Sequence, residues 1–321
     1  MTEMTYRTLG TSGLRVSSVG LGCNNFGRPG TATEEQEGAA RVMHAAIDHG
    51  ITLFDTADIY GYAYGRSESM MGEALVGKRD QIVLATKFGH TDYESPIPHW
   101  GARGSRRYVR LAVEQSLTRL KTDWIDLYQL HTPDPLTPIE ETLAALDELI
   151  DEGKIRYIGH SNFAAWQLVE ADLVAQLHGH ERFISAQNEF NLLTRDAERE
   201  LLPVAESYGV GFLPWFPLYN GLFTGKFSRT GGPTDSRIMR QRPHLLEGAP
   251  WDAIDAYERF CHDRGIGMLE ATIGWLLSRP AMASIIAGAT TVEQVAQNAA
   301  AVSAWTPAAE DLDAIDQLFP I

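Results

Sequence analysis

Four polar side chains stand at or just beyond the ends of three successive apolar runs. They are Asp55 and Tyr60 in Phe54-Asp55-Thr56-Ala57-Asp58-Ile59-Tyr60-Gly61, Lys87 in Ala85-Thr86-Lys87-Phe88-Gly89, and His131 in Tyr128-Gln129-Leu130-His131. Taken singly, each has an ordinary use: a turn, a packed ring, a solvated cation, a hydrogen-bonded rim. Together they form one chemical device. Reducing a carbonyl puts negative charge on its oxygen while hydride attacks its carbon, so that oxygen needs a proton and hydrogen bonds aimed at it. A phenol, with a pKa of ~10, is a weak acid at neutral pH. A neighbouring ammonium should lower that value, and a buried carboxylate should keep the ammonium charged and oriented. Tyr60 is then the acid, Lys87 its tuner, Asp55 the anchor of Lys87, and His131 a second donor to the carbonyl oxygen.

For these groups to meet, the runs must be neighbouring parallel strands with their carboxyl ends at one mouth. The chain supplies eight short apolar runs, at 18–22, 52–55, 82–86, 125–130, 157–159, 184–187, 211–215 and 284–287, with segments of helical period between them. Most are too uniformly apolar for a half-exposed sheet, as expected of parallel strands covered on both faces. Residues 6–16, around Gly10-Thr11-Ser12-Gly13, read as a small hairpin. Helix starts are predicted at Thr33–Gln36 by a capping box, at Thr137-Pro138 with threonine as N-cap, and at Thr291-Val292-Glu293-Gln294. Thr306-Pro307 opens a last, extra helix running to about Phe319. Eight alternating units predict an α/β fold, a (β/α)8 TIM barrel in a single domain over 1–321. Its 321 residues suit the ~250 of such a barrel plus insertions. Two connections are long, 88–105 after the third strand and 218–250 after the seventh. Both lie on the carboxyl-end face, where barrel sites are built.

Composition narrows the partners. Hydrophobic residues at 44% allow a large core, and a formal net charge of −15 repels nucleic acid and anionic lipid. An anionic cofactor needs a local basic pocket. Cys23 and Cys261 are the only two cysteines and read as free thiols in a reducing compartment. No basic and apolar leader opens the sequence and no run reaches a membrane span, so the expected location is cytoplasmic. A small-molecule carbonyl is the expected partner, and a homo-oligomer is compatible with all of this.

These motifs resemble the aldo-keto reductase superfamily over nearly the whole chain, from Tyr6 to about Phe319. Gly20-Leu21-Gly22, the FDTADIYG run, ATKFG and the strand ending in His131 match that family's Asp, Tyr, Lys, His tetrad in identity and order. The resemblance implies NADP(H) as cofactor and reduction of aldehydes or ketones to alcohols, with Tyr60 as general acid. It also implies cofactor contacts, beginning with Cys23, Asn24 and Asp55. Ser161 and Asn162 in Gly159-His160-Ser161-Asn162-Phe163, with Gln187, would hold the nicotinamide carboxamide. Trp215 would stack under the ring. Phe216, Pro217, Leu218, Gly221, Leu222, Lys226 and Arg237 would pass along the pyrophosphate. Gly288, Thr290, Gln294, Gln297 and Asn298 would take the adenosine 2′-phosphate and adenine. A helix N-terminus is a natural phosphate site.

The sequence departs from the family's commonest pattern at several points. Gln294 stands where many members have arginine, and Phe216 where serine usually precedes Pro217. Asn24 replaces an aromatic. Substrate contacts are expected from Asn24, Tyr60, His131, Trp100 and Phe216, with Phe26, Arg103 and Tyr108 as further candidates. Gly104-Ser105-Arg106-Arg107-Tyr108 is similar to the bacterial glyceraldehyde-3-phosphate reductase-like members. Its arginines would steer an acidic or phosphorylated substrate, or cap a helix. Trp215 and Gln294 also resemble the potassium-channel β-subunit branch, which leaves a cofactor-sensing subunit with little turnover as the alternative. A metal-dependent hydrolase built on His178-Gly179-His180 is not expected. That pair precedes a strand, on the face opposite the mouth, and no metal site is predicted.

Overall fold

The computed structural model describes residues 4–321. β1 (Tyr6–Thr8) and β2 (Arg15–Ser17) pair antiparallel with Tyr6 opposite Ser17, forming the predicted hairpin. Eight parallel strands follow: β3 (Val19–Gly22), β4 (Leu53–Asp55), β5 (Val83–Phe88), β6 (Ile125–Leu130), β7 (Ile155–Ser161), β8 (Ser185–Gln187), β9 (Gly211–Phe212) and β10 (Ile285–Gly288). Their order is β10-β3-β4-β5-β6-β7-β8-β9. Phe212 closes the ring against the segment entering β10. Its N–H donates to Ala281 O at 2.7 Å, and its carbonyl accepts from Ala283 N at 3.0 Å. Each of the eight predicted runs is a strand, and the fold is a (β/α)8 barrel.

The helices are α1 (Gln36–Asp48), α2 (Arg66–Ala74), α3 (Arg106–Leu120), α4 (Ile139–Asp151), α5 (Ala165–His178) and α6 (Leu201–Tyr208). The connection after β9 is not bare loop: it carries α7 (Arg237–Gln241) and α8 (His244–Glu247) before α9 (Trp251–Asp263) and α10 (Met268–Leu277). After β10 come α11 (Val292–Ala301) and the extra helix α12 (Ala309–Leu318). No helix among the described residues is long and apolar enough to cross a membrane.

Three predicted helix starts need correction. Thr33 is not a cap: it is buried and its hydroxyl donates to Asn25 O at 2.9 Å, so α1 starts at Gln36. Thr137 gives its hydroxyl to Asp134, and α4 starts after Pro138. The last helix opens at Ala309 rather than Pro307, where Asp311 Oδ2 accepts the N–H of Ala308. In each case a tertiary or local hydrogen bond displaced the cap that the sequence suggested. Thr291 does cap α11, accepting Gln294 N at 3.3 Å.

Strand alternation decides what fills the barrel. Leu53, Ala85 and Leu127 share one buried cluster with Leu9, Val16, Leu213, Ala283 and Ile286. Side chains two residues on, at Asp55, Lys87 and Gln129, point to the same side of each strand, one layer nearer the carboxyl ends. The hairpin seals the other end. Gly10 has φ +61°, and a Cβ there would lie 2.3 Å from Gly209 O, so only glycine lets the turn sit on the barrel floor. One mouth is therefore open, above Asp55 and Lys87.

Candidate active site

Lys87 is fully buried, with its ammonium 2.8 Å from both oxygens of Asp55 and 2.9 Å from Thr56 O. The Tyr60 hydroxyl accepts a longer bond from it at 3.5 Å. The His131 ring stands edge-on to Tyr60, 5.8 Å between centroids. The four residues picked from the sequence thus converge at one mouth. Two amides complete the carboxylate's shell: Gln187, singled out from the sequence, donates from Nε2 to Asp55 Oδ1 at 3.0 Å, and Gln129, which sequence reasoning missed, donates at 3.4 Å. Gln129 could have been found by its period, two residues before His131 on one strand.

The electrostatics differ from expectation at one point. Lys87 was to lower the Tyr60 pKa. Burial is the larger effect, Lys87 opposes it, Asp55 adds to it, and the phenol ends above its ordinary value. Tyr60 is therefore firmly protonated. For Lys87 burial alone disfavours the charge, but Asp55 and then Tyr60 outweigh it and raise the ammonium. His131 is held neutral, first by burial, then by Lys87 and His90. Its Nδ1 is buried without a hydrogen-bond partner. His90, also missed from sequence, packs on His131 with ring centroids 4.6 Å apart and carries Tyr93 on its other side at 4.7 Å.

The segment after β7 locks into this group. Asn162, at φ +62°, donates from Nδ2 to His131 O at 2.9 Å and accepts Trp215 Nε1 at 3.3 Å. Ser161 gives its hydroxyl to Gln187 O at 2.7 Å. Cys23 is buried, with its N–H on Asp55 O at 2.8 Å, and Asn24 follows it at the rim. Cys23 and Cys261 are both free thiols.

Across the mouth, Phe216 stands beside Trp215 at 4.9 Å between ring centroids. Arg237 and Arg242 lie over the Phe216 ring at 5.1 and 5.2 Å. Arg28 is their buried neighbour, and the Nε of Arg28 and of Arg237 is enclosed without a hydrogen-bond partner. Burial first, then repulsion from Arg28 and Arg242, brings Arg237 down to about 9. Arg28 and Arg242 gave no signal in the sequence beyond an arginine-rich loop. Farther along, Gly221 has φ +94°, and a Cβ on it would lie 3.0 Å from Lys226 Nζ. Leu218, Leu222 and Pro217 wall the same bend, with Pro217 and Leu222 buried. At the start of α11, Thr290 N–H and hydroxyl both reach Gln294 Oε1, at 2.8 and 3.2 Å. Asn298 is buried behind them, Gln297 is exposed, and Gly288 ends β10.

Other candidates sit elsewhere. Trp100 is 82% exposed and rests on Arg107, at 4.9 Å from ring to guanidinium. Phe26 and Tyr108 are core, the latter giving its hydroxyl to Ser95 at 3.0 Å. Arg103 braces the loop by donating to His90 O. In the Gly104–Tyr108 stretch, Arg106 pairs with Glu148 and Arg107 donates to Pro98 O at 2.7 Å. Ser105 caps α3, and Arg110 is spent on Glu148 and Glu152. His180 of the H-x-H pair meets Asp147 at 3.0 Å, away from the mouth.

Residues 18–319 match the profile of the Aldo/keto reductase family. The chain belongs to this family. An aldo/keto reductase of this kind is an oxidoreductase acting on carbonyl compounds, and the family generally uses nicotinamide cofactors. Relatives agree along the full length. An oxidoreductase of Bacillus subtilis is 38% identical, covering 93% of this chain and 91% of its own. The L-glyceraldehyde 3-phosphate reductase of Escherichia coli is 33% identical over 98% and 92%. A probable voltage-gated potassium channel subunit beta of Oryza sativa is 33% identical over 92% and 90%. Both likenesses anticipated from the sequence, to the channel β-subunits at Trp215 and Gln294 and to the glyceraldehyde-3-phosphate reductases at Gly104–Tyr108, are represented among these relatives.

Proposed function

We propose that this protein is an NADPH-dependent reductase of aldehydes or ketones in which Tyr60 is the general acid. The observation that carries the reading is the buried Asp55–Lys87 pair, 2.8 Å apart, directly beneath a protonated phenol and a neutral imidazole.

The walls of the mouth fit a dinucleotide. Gly221 and Lys226 form a bend that a side chain would fill, and Arg28 and Arg237 carry buried nitrogens with no partner. An anion would satisfy them. Arg28, Arg237, Arg242 and Lys226 would hold the diphosphate, and the guanidiniums would replace the hydroxyl lost at Phe216. Asn162, Ser161 and Gln187 would meet the carboxamide, Trp215 the ring, and Thr290, Gln294, Gln297 and Asn298 the adenosine end. When bound, the nicotinamide supplies hydride to the carbonyl carbon. Tyr60 then delivers its proton to the developing alkoxide, and His131 steadies that oxygen. Lys87, kept charged by Asp55, stabilises the phenolate left behind.

The Escherichia coli relative is named for a phosphorylated aldehyde, but Arg106 and Arg110 are already paired here. Arg28, Arg237, Arg242 and Lys226 are assigned above to the cofactor, and Arg103 is engaged by His90 O. Uncharged aldehydes and ketones, or reagents such as 4-nitrobenzaldehyde, are the substrates to try first.

The test is Tyr60→Phe, assayed by NADPH oxidation with a reactive aldehyde. Turnover should fall by about 10²–10⁴-fold, with NADPH affinity unchanged. Full turnover in this variant would remove Tyr60 from the role. Tight NADPH binding by a wild-type protein that turns over nothing would instead make it a cofactor sensor.

A further inference from the structure

Behind the tetrad lies a second buried acid cluster, which the mechanism above leaves unused. Asp58 and Glu68 are 1% and 0% exposed. Two cations face them, the partly buried Arg119 and the buried Arg103, and Glu68 takes the first: Arg119 reaches Glu68 Oε2 at 2.6 Å, and Thr86 donates to Oε1 at 2.6 Å. Asp58 has no such partner. Its Oδ2 accepts the Tyr64 hydroxyl at 2.8 Å, while Oδ1 is buried with no hydrogen bond. The Tyr128 hydroxyl is likewise enclosed and unpartnered. The charged and titratable groups facing Asp58 are Tyr64 and Glu68 on its own side, Tyr108 and Arg119 on α3, Arg103 on the loop after β5, and Tyr128 on β6. Arg119 is engaged by Glu68 and Arg103 by His90 O, so a buried Asp58 oxygen without a hydrogen bond suits a neutral carboxyl. Burial, then Glu68, lift its pKa to about 7.

The backbone ties this carboxyl to the acid. Asp58 N–H donates to Lys87 O at 3.1 Å, and its carbonyl accepts Gly65 N–H. Tyr60 stands between these two anchors, with its own carbonyl accepting Ser67 N–H at 3.1 Å. Gly65 has φ +74°, and a Cβ there would lie 2.3 Å from Arg119 Cδ, so the turn is pressed against the same cluster. The stretch from Asp58 to Gly65 is therefore pinned to the Lys87 strand by its main chain and to the interior by the Asp58–Tyr64 bond.

We propose that Asp58 is a positioning residue for Tyr60: its neutral carboxyl locks the turn that holds the phenol over Lys87, and its ionisation loosens that turn. Ionised, Asp58 makes no ion pair, since Arg119 is held by Glu68 and Arg103 by His90 O, and it must draw in water or shift, carrying Tyr60 with it. The inference rests on the reading of Tyr60 as the acid.

Single-turnover reduction of 4-nitrobenzaldehyde by the NADPH-loaded enzyme, followed from about pH 5 to about pH 9, tests it. The wild-type rate should fall as pH rises through about 7. Asp58→Asn keeps an acceptor for Tyr64 but cannot ionise. It should rescue the alkaline side, holding the plateau at least a unit further. Asp58→Leu should lose about 10²-fold in rate at every pH, with NADPH affinity unchanged, since a misplaced acid costs that much. Tyr64→Phe, which removes only the donor to Asp58, guards against misfolding of the leucine variant and should show a smaller loss. Superimposable pH profiles for wild type and Asp58→Asn would overturn the proposal. If Tyr60→Phe keeps full turnover, the acid assignment fails first. If Tyr60→Phe is inactive while the profiles superimpose, only the role of Asp58 fails.

Discussion

Lys87 places its ammonium 2.8 Å from both carboxylate oxygens of Asp55, in a pair that is 0% and 5% exposed at the side chains. Each charge is stable there only because the other is present. Lys87→Met would strand the Asp55 carboxylate and should cost about 3–5 kcal/mol of folding stability, as well as turnover. Urea denaturation of the two proteins measures the first. A loss under ~1 kcal/mol would mean that water reaches the pair.

The guanidinium wall makes a salt prediction. Arg237 and Arg242 lie over Phe216 with Arg28 beside them, and Glu189 brings a carboxyl near Arg242. Arg242→Leu should weaken NADPH binding about tenfold at low salt, and the difference should shrink as salt rises. Titration by quenching of protein fluorescence reads both effects. Equal affinities for the two proteins at low salt would detach Arg242 from the diphosphate.

Cofactor choice should respond to position 294. Gln294 spends its oxygen on Thr290 and brings no charge to the start of α11. Gln294→Arg should tighten NADPH about tenfold and leave NADH unchanged, because a cation meets only the extra phosphate. A parallel gain for NADH would place that phosphate elsewhere.

His160 and Asp58 pull the pH–stability curve in opposite directions. His160 is fully buried against Phe163 with both ring nitrogens unpartnered, and burial drops its pKa to about 3. A folded-state value below the unfolded one of ~6.5 means stability present above that pH and lost as pH falls toward 3, at roughly 1.4 kcal/mol per unit. His160→Leu should remove this acid sensitivity, seen as a flatter melting temperature below about pH 6. For Asp58 the folded value, about 7, lies above the unfolded one of ~3.9. Its contribution is complete below about pH 4 and is lost as pH rises to about 7, so Asp58→Asn should gain relative stability at the alkaline end.

Most of the fold was legible because its signals are local. Eight apolar runs alternating with helical segments give a parallel barrel wherever each strand must be covered on both faces. The identities and order of Asp55, Tyr60, Lys87 and His131 were equally plain, since strand ends in such a barrel share one mouth. Helix starts at Thr33, Thr137 and Thr306 were read less well. A threonine before an apolar run caps only if no tertiary acceptor claims its hydroxyl, and Asn25 and Asp134 claimed two of them.

The sequence by itself settled which groups could do the chemistry; the tertiary structure decided their states. That Tyr60 is pushed above its ordinary pKa, His131 kept neutral, and Gln129, Gln187 and Asn162 drawn into one network follows from burial and from partners up to 132 residues away. Arg28, Arg237 and Arg242 become a single cationic wall only when loops more than two hundred residues apart fold over one rim. Charge and hydrogen bonding depend on distance in space and on exclusion of water, and neither is written in the order of residues along a chain.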